Sequence, residues 1–298
     1  MHISLKHLAG ALLALSVALI PVSQANARPR MEPLGANIAD RGSAWYRFTT
    51  QTFTSADGQR HYKVWLGIPK QAAPAQGYPV LYLLDGNAAM ARLSDERLEQ
   101  LAEKQPPILV AVGYDTRLPF DVQARALDYT PPGGQPGDPR QERYAGGGSH
   151  AFRALLLSQI VPWAEKQAAS DAQRRALWGH SFGGLFVLDT LYKSAWFTHY
   201  FSAAPSLGWR HQRIVELAQQ AAASGLNGKT LYLIEGDGQS DRRKGHDLAS
   251  INDADSMLIA TLREKRVRLH EIRYPGKTHG ELLPLSLEAT LDIVSGAK

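Results

Sequence analysis

The chain has 298 residues, 44% of them hydrophobic and 20% charged, which excludes a disordered tail or a fibrous repeat because those are poorer in apolar residues or richer in proline and glycine. Its 33 Lys and Arg against 28 Asp and Glu give a net charge of +5, too mild and too dispersed to indicate nucleic-acid binding. With no cysteine, disulfides and a lipid-modified cleavage site are excluded.

The N-terminus has the pattern of a signal peptide. Lys6 precedes an apolar run at 8–20, and Ala25-Asn26-Ala27 is a small-x-small tripeptide typical of a cleavage site. The run is shorter than the roughly 20 residues that a helix needs to span a bilayer. We therefore expect residues 1–27 to direct export to the periplasm, and residues 28–298 to form a single domain without a membrane span.

After an extended lead-in to about Ser43, short apolar runs alternate with amphipathic stretches. The runs have strand length and lie at 62–68, 80–84, 108–113, 175–178, 200–203, 230–234 and 267–274. The amphipathic stretches predict helices at 92–104, 151–167, 183–193, 212–223 and 253–265. Two segments rich in glycine, proline or polar residues, 128–149 and 236–246, are predicted loops. This alternation predicts an α/β fold, with a mostly parallel sheet covered by helices on both faces.

The pentapeptide Gly179-His180-Ser181-Phe182-Gly183 matches the G-x-S-x-G pattern. It lies directly after a predicted strand and before a predicted helix, which is the context that gives the pattern its meaning. A serine at such a sharp turn has an exposed hydroxyl, and glycines avoid collisions with the neighbouring strand and helix. We therefore predict that Ser181 is a nucleophile, and that His180 beside it packs or forms hydrogen bonds.

A serine nucleophile needs a base and, in most cases, an acid that orients the base. His279 follows the last predicted strand and precedes the last helix, where the base of this topology lies. The acid should follow the strand at 230–234, where the candidates are Glu235, Asp237 and Asp241. We rank Asp241 first and Asp237 second because a loop of several residues is usually needed to reach the imidazole. A Ser–His pair without an acid remains open.

Ester hydrolysis also needs donors for the oxyanion. We predict the backbone N–H of Phe182, directly after the nucleophile, and one from Gly86 or Asn87 in the loop after the strand at 80–84. The chain has no H-E-x-x-H, no cysteine cluster and no G-x-G-x-x-G at a strand end, so no metal or cofactor is expected.

Several further motifs carry a resemblance to a known family. They are LYLLDGN at 81–87, GY at 113–114, RALDYTPP at 125–132, GGGSHAF at 146–152 and APSLGW at 204–209. With G-H-S-x-G they resemble the esterase D-like branch of the α/β hydrolases, in particular the exported enterobactin esterases, over essentially the whole chain after the leader. The resemblance implies an α/β-hydrolase fold and a serine that opens the ester bonds of a catecholate trilactone siderophore for iron release. We expect the ferric complex as the substrate, and the iron-free form is the alternative. In that group the acid is variable or absent.

The resemblance also implies a pocket for a bulky anionic ligand. Arg125 and Arg153 flank the long loop, and Trp209-Arg210 closes the APSLGW segment; guanidinium groups and aromatic faces suit a trianionic, ring-rich small molecule. A general, feruloyl or acetyl carboxylesterase would share the same core motifs. A siderophore carrier without activity is disfavoured, since it would need neither Ser181 nor His279.

Overall fold

The computed structural model of the protein describes residues 31–136, 143–238 and 248–296. Within these ranges the strands are β1 Tyr46–Thr54, β2 His61–Pro69, β3 Tyr78–Leu83, β4 Ile108–Tyr114, β5 Ser170–His180, β6 His199–Ala203, β7 Thr230–Gly236 and β8 Arg268–Tyr274. The α-helices are α1 Ile38–Arg41, α2 Gly86–Met90, α3 Asp95–Ala102, α4 Val122–Tyr129, α5 Ser149–Leu155, α6 Val161–Glu165, α7 Phe182–Lys193, α8 Arg213–Gln220, α9 Leu248–Glu264 and α10 Leu282–Val294. A π-helical turn, Leu156–Ile160, joins α5 to α6. The predicted signal peptide, 1–27, lies outside the described residues.

The strands form one sheet in the order β1-β2-β4-β3-β5-β6-β7-β8. The strands from β3 to β8 pair in parallel, whereas β2 runs antiparallel to both β1 and β4. Parallel strands need crossover connections, which are supplied by helices that cover the faces of the sheet. The prediction of an α/β fold with a mostly parallel sheet is therefore confirmed.

The core has two layers, one on each face of the sheet. Alternate residues of β3 point to opposite faces, so that Val80 and Tyr82 belong to one buried cluster and Leu81 and Leu83 to the other. The first cluster includes apolar residues of α7, and the second includes apolar residues of α10. Because both faces of β3 and β4 are buried, these strands appear in the sequence as continuous apolar runs.

The structure contains elements that the sequence did not predict. β1 is an edge strand with mostly exposed side chains, so its Thr- and Gln-rich sequence has no apolar run. α4 lies where no helix was predicted, because its buried face carries the charged residues Arg125 and Asp128, which conceal the apolar period. β5 begins at Ser170, five residues before the predicted strand, and its first half is partly exposed.

The carboxyl ends of the parallel strands place the site. β3, β5, β7 and β8 all end at the same edge of the sheet, and their following residues include Gly86, Ser181, Asp237 and His279. Functional side chains of open α/β sheets collect at this edge. Among the helices that the structure describes, none is both long and apolar enough to cross a membrane.

Candidate active site

Ser181 occupies a strained turn between β5 and α7. Its backbone has φ 62° and ψ −117°, a region that residues other than glycine rarely adopt. A Cβ on Gly179 would come within 2.4 Å of the carbonyl oxygen of Gly183, so only glycine permits this close approach. The turn thus places the serine side chain at the end of β5 and the N-terminus of α7, as predicted for a nucleophile.

The steric role of the second glycine in the motif differs from the expectation. A Cβ on Gly183 would have ordinary van der Waals space, with its nearest neighbour, Asp85 Oδ2, at 3.6 Å. The next residue is the crowded one, because a Cβ on Gly184 would lie 2.8 Å from the carbonyl oxygen of Ala203. Glycine is therefore required where α7 crosses β6 at Gly184, rather than at Gly183.

A second hydroxyl contacts the nucleophile. The Oγ atoms of Ser181 and Ser206 lie 3.2 Å apart, and the backbone N–H of Ser206 donates to the carbonyl oxygen of Ser181 at 3.3 Å. Ser206 belongs to the APSLGW segment, which begins at Ala204 with a φ of 39°. The sequence singled out this segment but not its serine, whose role depends on a contact between two loops.

His279 lies in the turn between β8 and α10, next to the nucleophile elbow. Its imidazole ring is centred 4.6 Å from the ring of His180, and its backbone carbonyl accepts a hydrogen bond of 2.8 Å from His180 Nε2. The structure therefore brings the predicted base beside the residue that directly precedes Ser181.

The turn that carries His279 is braced by hydrogen bonds on both sides. The carboxylate of Glu281 accepts from the backbone N–H of Thr278 at 2.9 Å and from its hydroxyl at 2.8 Å; these bonds, the backbone one first, lower the pKa of Glu281 to about 2. On the other side, Gly238 N donates to the carbonyl oxygen of Lys277 at 2.9 Å. Since a Cβ on Gly238 would lie 2.4 Å from a carbonyl oxygen of this turn, the two loops are in direct backbone contact.

The three candidate acids lie in different places. The carboxylate of Asp237 accepts a hydrogen bond from the backbone N–H of Gly276, so it fixes the loop that carries His279. Glu235 is half-buried on β7, opposite Arg273 of β8. Asp241, ranked first from the sequence, lies outside the described residues, and its role stays a prediction.

The first residues of two helices, α7 and α2, present candidate oxyanion donors. Phe182 is the first residue of α7, and the helical bonding begins with Leu185 N donating to Ser181 O. The N–H groups of a helix's first turn have no partner within the helix, and they lie at its positive end. The second helix, α2, begins at Gly86, so Gly86 and Asn87 lie in its first turn and not in a loop as the sequence predicted. A Cβ on Gly86 would lie 2.7 Å from backbone atoms of β4.

The side chain of Asn87 is fully occupied by the end of β4. Its Nδ2 donates to the carbonyl oxygens of Tyr114 and Thr116 at 3.0 and 2.9 Å, and its Oδ1 accepts from Tyr114 N at 2.8 Å. The group that Asn87 can offer to an oxyanion is therefore its backbone N–H.

Arg125, predicted to bind substrate, forms a buried ion pair instead. Its Nε and Nη2 donate to the two carboxylate oxygens of Asp85, both at 2.8 Å, and Nη2 also donates to the carbonyl oxygen of His180 at 3.3 Å. The guanidinium lies 5.6 Å from the centre of the Phe182 ring. Burial alone would lower the pKa of Arg125, but Asp85 raises it. Only 9% of the residue is exposed, so its charge is satisfied inside the protein.

Arg153 also has an internal partner. Its Nη1 donates to Asp189 Oδ2 at 2.8 Å, an atom that also accepts from Ser149 Oγ at 2.6 Å, while Lys193 pairs with Oδ1 at 2.8 Å. Burial would raise the pKa of Asp189, but the charge of Arg153 and these hydrogen bonds lower it. Arg153 therefore ties α5 to α7, contrary to the prediction that it contacts substrate.

The predicted Trp209-Arg210 pair is divided between the core and the surface. Trp209 is buried, with 1% exposed, and meets the Phe182 ring edge-on at 5.5 Å. Arg210 is half-buried, with its guanidinium 5.7 Å from the Trp209 ring. Trp209 therefore supports the elbow from inside, and Arg210 is the more accessible of the two.

Arg92 is an exposed cation that the sequence analysis did not single out. It follows α2, and its Nη1 donates to the carbonyl oxygen of Ala88 at 2.7 Å. Within the described ranges, no carboxylate forms a salt bridge with it. Its charge contributes to lowering the pKa of His180, which places it near the site. The only sequence signal was its position five residues after Asn87.

Comparison with known proteins identifies the family. A family model described as "Putative esterase" matches residues 55–261. The apo-salmochelin esterase of Escherichia coli is 44% identical over 284 residues, covering 94% of this chain and 89% of that protein. The chain belongs to this esterase family.

Two further known proteins are similar to this chain over most of their length. The ferri-bacillibactin esterase BesA of Bacillus subtilis is 27% identical, over 80% of this chain and 86% of its own. The solved structure of the enterobactin and salmochelin hydrolase IroE superimposes with a TM-score of 0.75 at 42% identity, covering 87% of this chain and 99% of that one. The similarity thus extends well beyond the residues around Ser181.

The site of this esterase has the parts that acyl transfer requires. It combines a hydroxyl at a strained turn, an imidazole on an adjacent loop, and backbone N–H groups at a helix N-terminus. In the part of the chain that the structure describes, no three His, Asp or Glu side chains are grouped as metal ligands.

Proposed function

We propose that this protein is a serine esterase that hydrolyses the ester bonds of a catecholate trilactone siderophore of the enterobactin class, in its ferric complex. The observation that carries the proposal is the strained Ser181 elbow with His279 beside it. The substrate class is supported by relatives that are named as an apo-salmochelin esterase, a ferri-bacillibactin esterase and an enterobactin and salmochelin hydrolase. The first two names differ in the iron state of the siderophore, so the ferric form is the part of the proposal that the experiment below must decide.

In the proposed reaction, the imidazole of His279 accepts the proton of Ser181 Oγ as that oxygen attacks the ester carbonyl. The N–H of Phe182 and the N–H of Gly86 or Asn87, at the start of α2, stabilise the negative oxygen that develops. The C–O bond of the ester then breaks, the departing alkoxide takes the proton from His279 and becomes an alcohol, and the acyl group remains bound to Ser181 Oγ as an acyl-enzyme. Water attacks the acyl-enzyme by the same route and restores Ser181.

Electrostatics favours an anionic substrate. The chain has a net charge of +5, and exposed Arg92 has no salt-bridge partner within the described ranges. Because the guanidinium groups of Arg125 and Arg153 are held in buried ion pairs with Asp85 and Asp189, Arg92 and Arg210 are the better candidates for contact with a catecholate.

The proposal is tested by incubating the purified protein with ferric enterobactin, iron-free enterobactin and a neutral aryl ester, and resolving the products by mass. Linear catecholate products from enterobactin, faster from the ferric form and absent with Ser181→Ala, are expected. Hydrolysis of the aryl ester alone would instead favour the general, feruloyl or acetyl carboxylesterase.

We also propose that the protein works in the periplasm after cleavage behind Ala27. The support is the apolar run at 8–20 and the small-x-small tripeptide that follows it. The intact mass of the protein recovered from a periplasmic extract should correspond to a chain beginning at Arg28. Recovery of the uncleaved chain from the membrane fraction alone would refute this proposal.

A further inference from the structure

His180 is a buried, titratable side chain that the reaction described above does not use. Only 7% of it is exposed, and its Nε2 lies 2.8 Å from the carbonyl oxygen of His279. Since a carbonyl oxygen can only accept a hydrogen bond, Nε2 must carry the hydrogen. The ring of His180 therefore points its N–H at the backbone of the residue that supplies the base.

The environment keeps His180 neutral. Burial lowers its pKa well below the usual range, and the nearby charges of protonated His279, Arg125 and Arg92 lower the pKa further, although the bond to His279 opposes the shift. A neutral ring has one N–H and one bare nitrogen, so the bond to His279 fixes which nitrogen is protonated. The bond thus persists when His279 itself gains a proton during the reaction.

The backbone of His180 is held as firmly as its ring. As the last residue of β5 it pairs with Ala203 of β6, and its carbonyl oxygen accepts from Arg125 Nη2 at 3.3 Å. Arg125 is in turn held by both oxygens of Asp85. A continuous set of bonds therefore runs from Asp85, directly before α2, through the residue before the nucleophile, to His279.

We propose that His180 is a positioning residue for the base, holding the backbone of His279 with its ring N–H and packing its ring, at a tilt of 47°, against the imidazole of His279. The proposal rests on the serine-esterase chemistry given above and adds a group that sets the distance between base and nucleophile. Asp237 and Glu281 hold the turn at Gly276 and Thr278, whereas His180 holds His279 itself. A displacement of about 1 Å at a reacting group can cost about 10²-fold in rate.

The test compares two substitutions with a matched control. His180→Phe keeps an aromatic ring but removes the N–H donor, and His180→Gln removes the ring but offers an amide N–H that can donate. His199→Phe is the control, because His199 is another histidine whose pKa is lowered by burial, and it lies at the opposite end of the neighbouring strand.

Each variant is assayed on a neutral aryl ester, with the burst of acylation counting the competent sites, and by thermal unfolding. For His180→Phe we expect kcat per competent site to fall about 10²-fold with KM nearly unchanged. The kcat per competent site of His180→Gln should be about tenfold higher than that of His180→Phe. His199→Phe should keep wild-type kcat per site.

Two outcomes would overturn the proposal. One is a kcat per competent site for His180→Phe within about threefold of wild type. The other is a His180→Gln variant as slow as His180→Phe with a wild-type unfolding temperature, since the N–H donor would then be irrelevant. Because each rate is divided by the number of competent sites, it can still be compared if part of a sample unfolds. Because the aryl ester carries no catecholate, failure of the siderophore assignment would leave this result unaffected, and Ser181→Ala shows whether the measured hydrolysis depends on the serine.

Discussion

The guanidinium of Arg125 and the carboxylate of Asp85 meet in two parallel hydrogen bonds of 2.8 Å beside the nucleophile elbow. Asp85 directly precedes α2, which begins at Gly86, and Arg125 also binds the carbonyl oxygen of His180. The pair therefore joins the residues that precede the two helix N-termini between which an ester carbonyl would be bound. Such bidentate, buried pairs are geometrically specific, and removing one partner leaves an uncompensated charge.

We predict that Arg125→Ala destabilises the protein by about 3 to 5 kcal/mol, because the carboxylate of Asp85 would remain buried without its partner. Activity should fall on the aryl ester and on the siderophore alike, as expected for a residue that holds the site together. Denaturant unfolding and steady-state kinetics on both substrates measure these effects. A stable variant that loses only the siderophore activity would show that Arg125 recognises substrate after all.

Ser181→Ala should fold normally and lose hydrolysis by several orders of magnitude, since the hydroxyl supplies the covalent step. His279→Ala should lose a comparable amount, and the double variant little more, because the two groups act as a unit. Pre-steady-state and steady-state rates on an aryl ester measure this. Losses that multiply in the double variant would argue against a coupled pair.

Arg92→Gln should weaken use of the ferric trilactone by about 1 to 3 kcal/mol in kcat/KM, the range for a lost charge-assisted contact. The neutral aryl ester should be used as before, and the preference for the anionic substrate should become less sensitive to salt. Arg47→Gln, which changes an exposed arginine on β1, is the matched control. Equal effects of the two substitutions would reduce the role of Arg92 to that of general surface charge.

Ser206→Ala tests the second hydroxyl at the site. Removing the hydrogen bond between the two Oγ atoms should lower kcat by about tenfold or less, the effect of one neutral hydrogen bond. The unfolding temperature should stay near that of wild type, because Ser206 is only half-buried. A loss as large as that of Ser181→Ala would mean that Ser206 takes part directly in the chemistry.

The carboxylate of Glu281 makes the stability of the turn around His279 depend on pH. Its pKa is about 2 in the folded protein, against an ordinary value of 4.5, so the folded state binds the proton more weakly than the unfolded state does. Its contribution to stability is therefore present above about pH 5 and is lost as the pH falls through 4.5 towards 2. Glu281→Gln should unfold at a lower temperature than wild type at pH 7, and this gap should close in acid. A gap that is constant from pH 7 to about pH 3 would contradict the assignment.

The sequence predicted those parts of the structure that depend on local patterns. Continuous apolar runs predicted β3 and β4, and the G-x-S-x-G context predicted the sharp turn at Ser181. β1 was missed because an edge strand exposed to solvent needs no apolar residues, and α4 because its buried face is charged.

Contacts between residues far apart in the sequence explain the remaining differences between the prediction and the structure. Arg125 was predicted to bind substrate because nothing in the sequence reveals that Asp85, 40 residues earlier, is its partner. The bond between His180 and His279 joins residues 99 apart. Neither pair has a local signature, since each exists only once the strands align in the sheet.

The ring of Phe182 lies 5.6 Å from the guanidinium of Arg125 and meets the ring of Trp209 edge-on at 5.5 Å, so both residues pack from inside the protein against the residue that we predict as an oxyanion donor. We expect a change at either position to lower the rate on any ester. Exposed positions such as Arg92 are not constrained in this way. The substrate range can therefore change through substitutions at exposed positions such as Arg92 while the reaction stays the same. Engineering for other esters should begin at such positions.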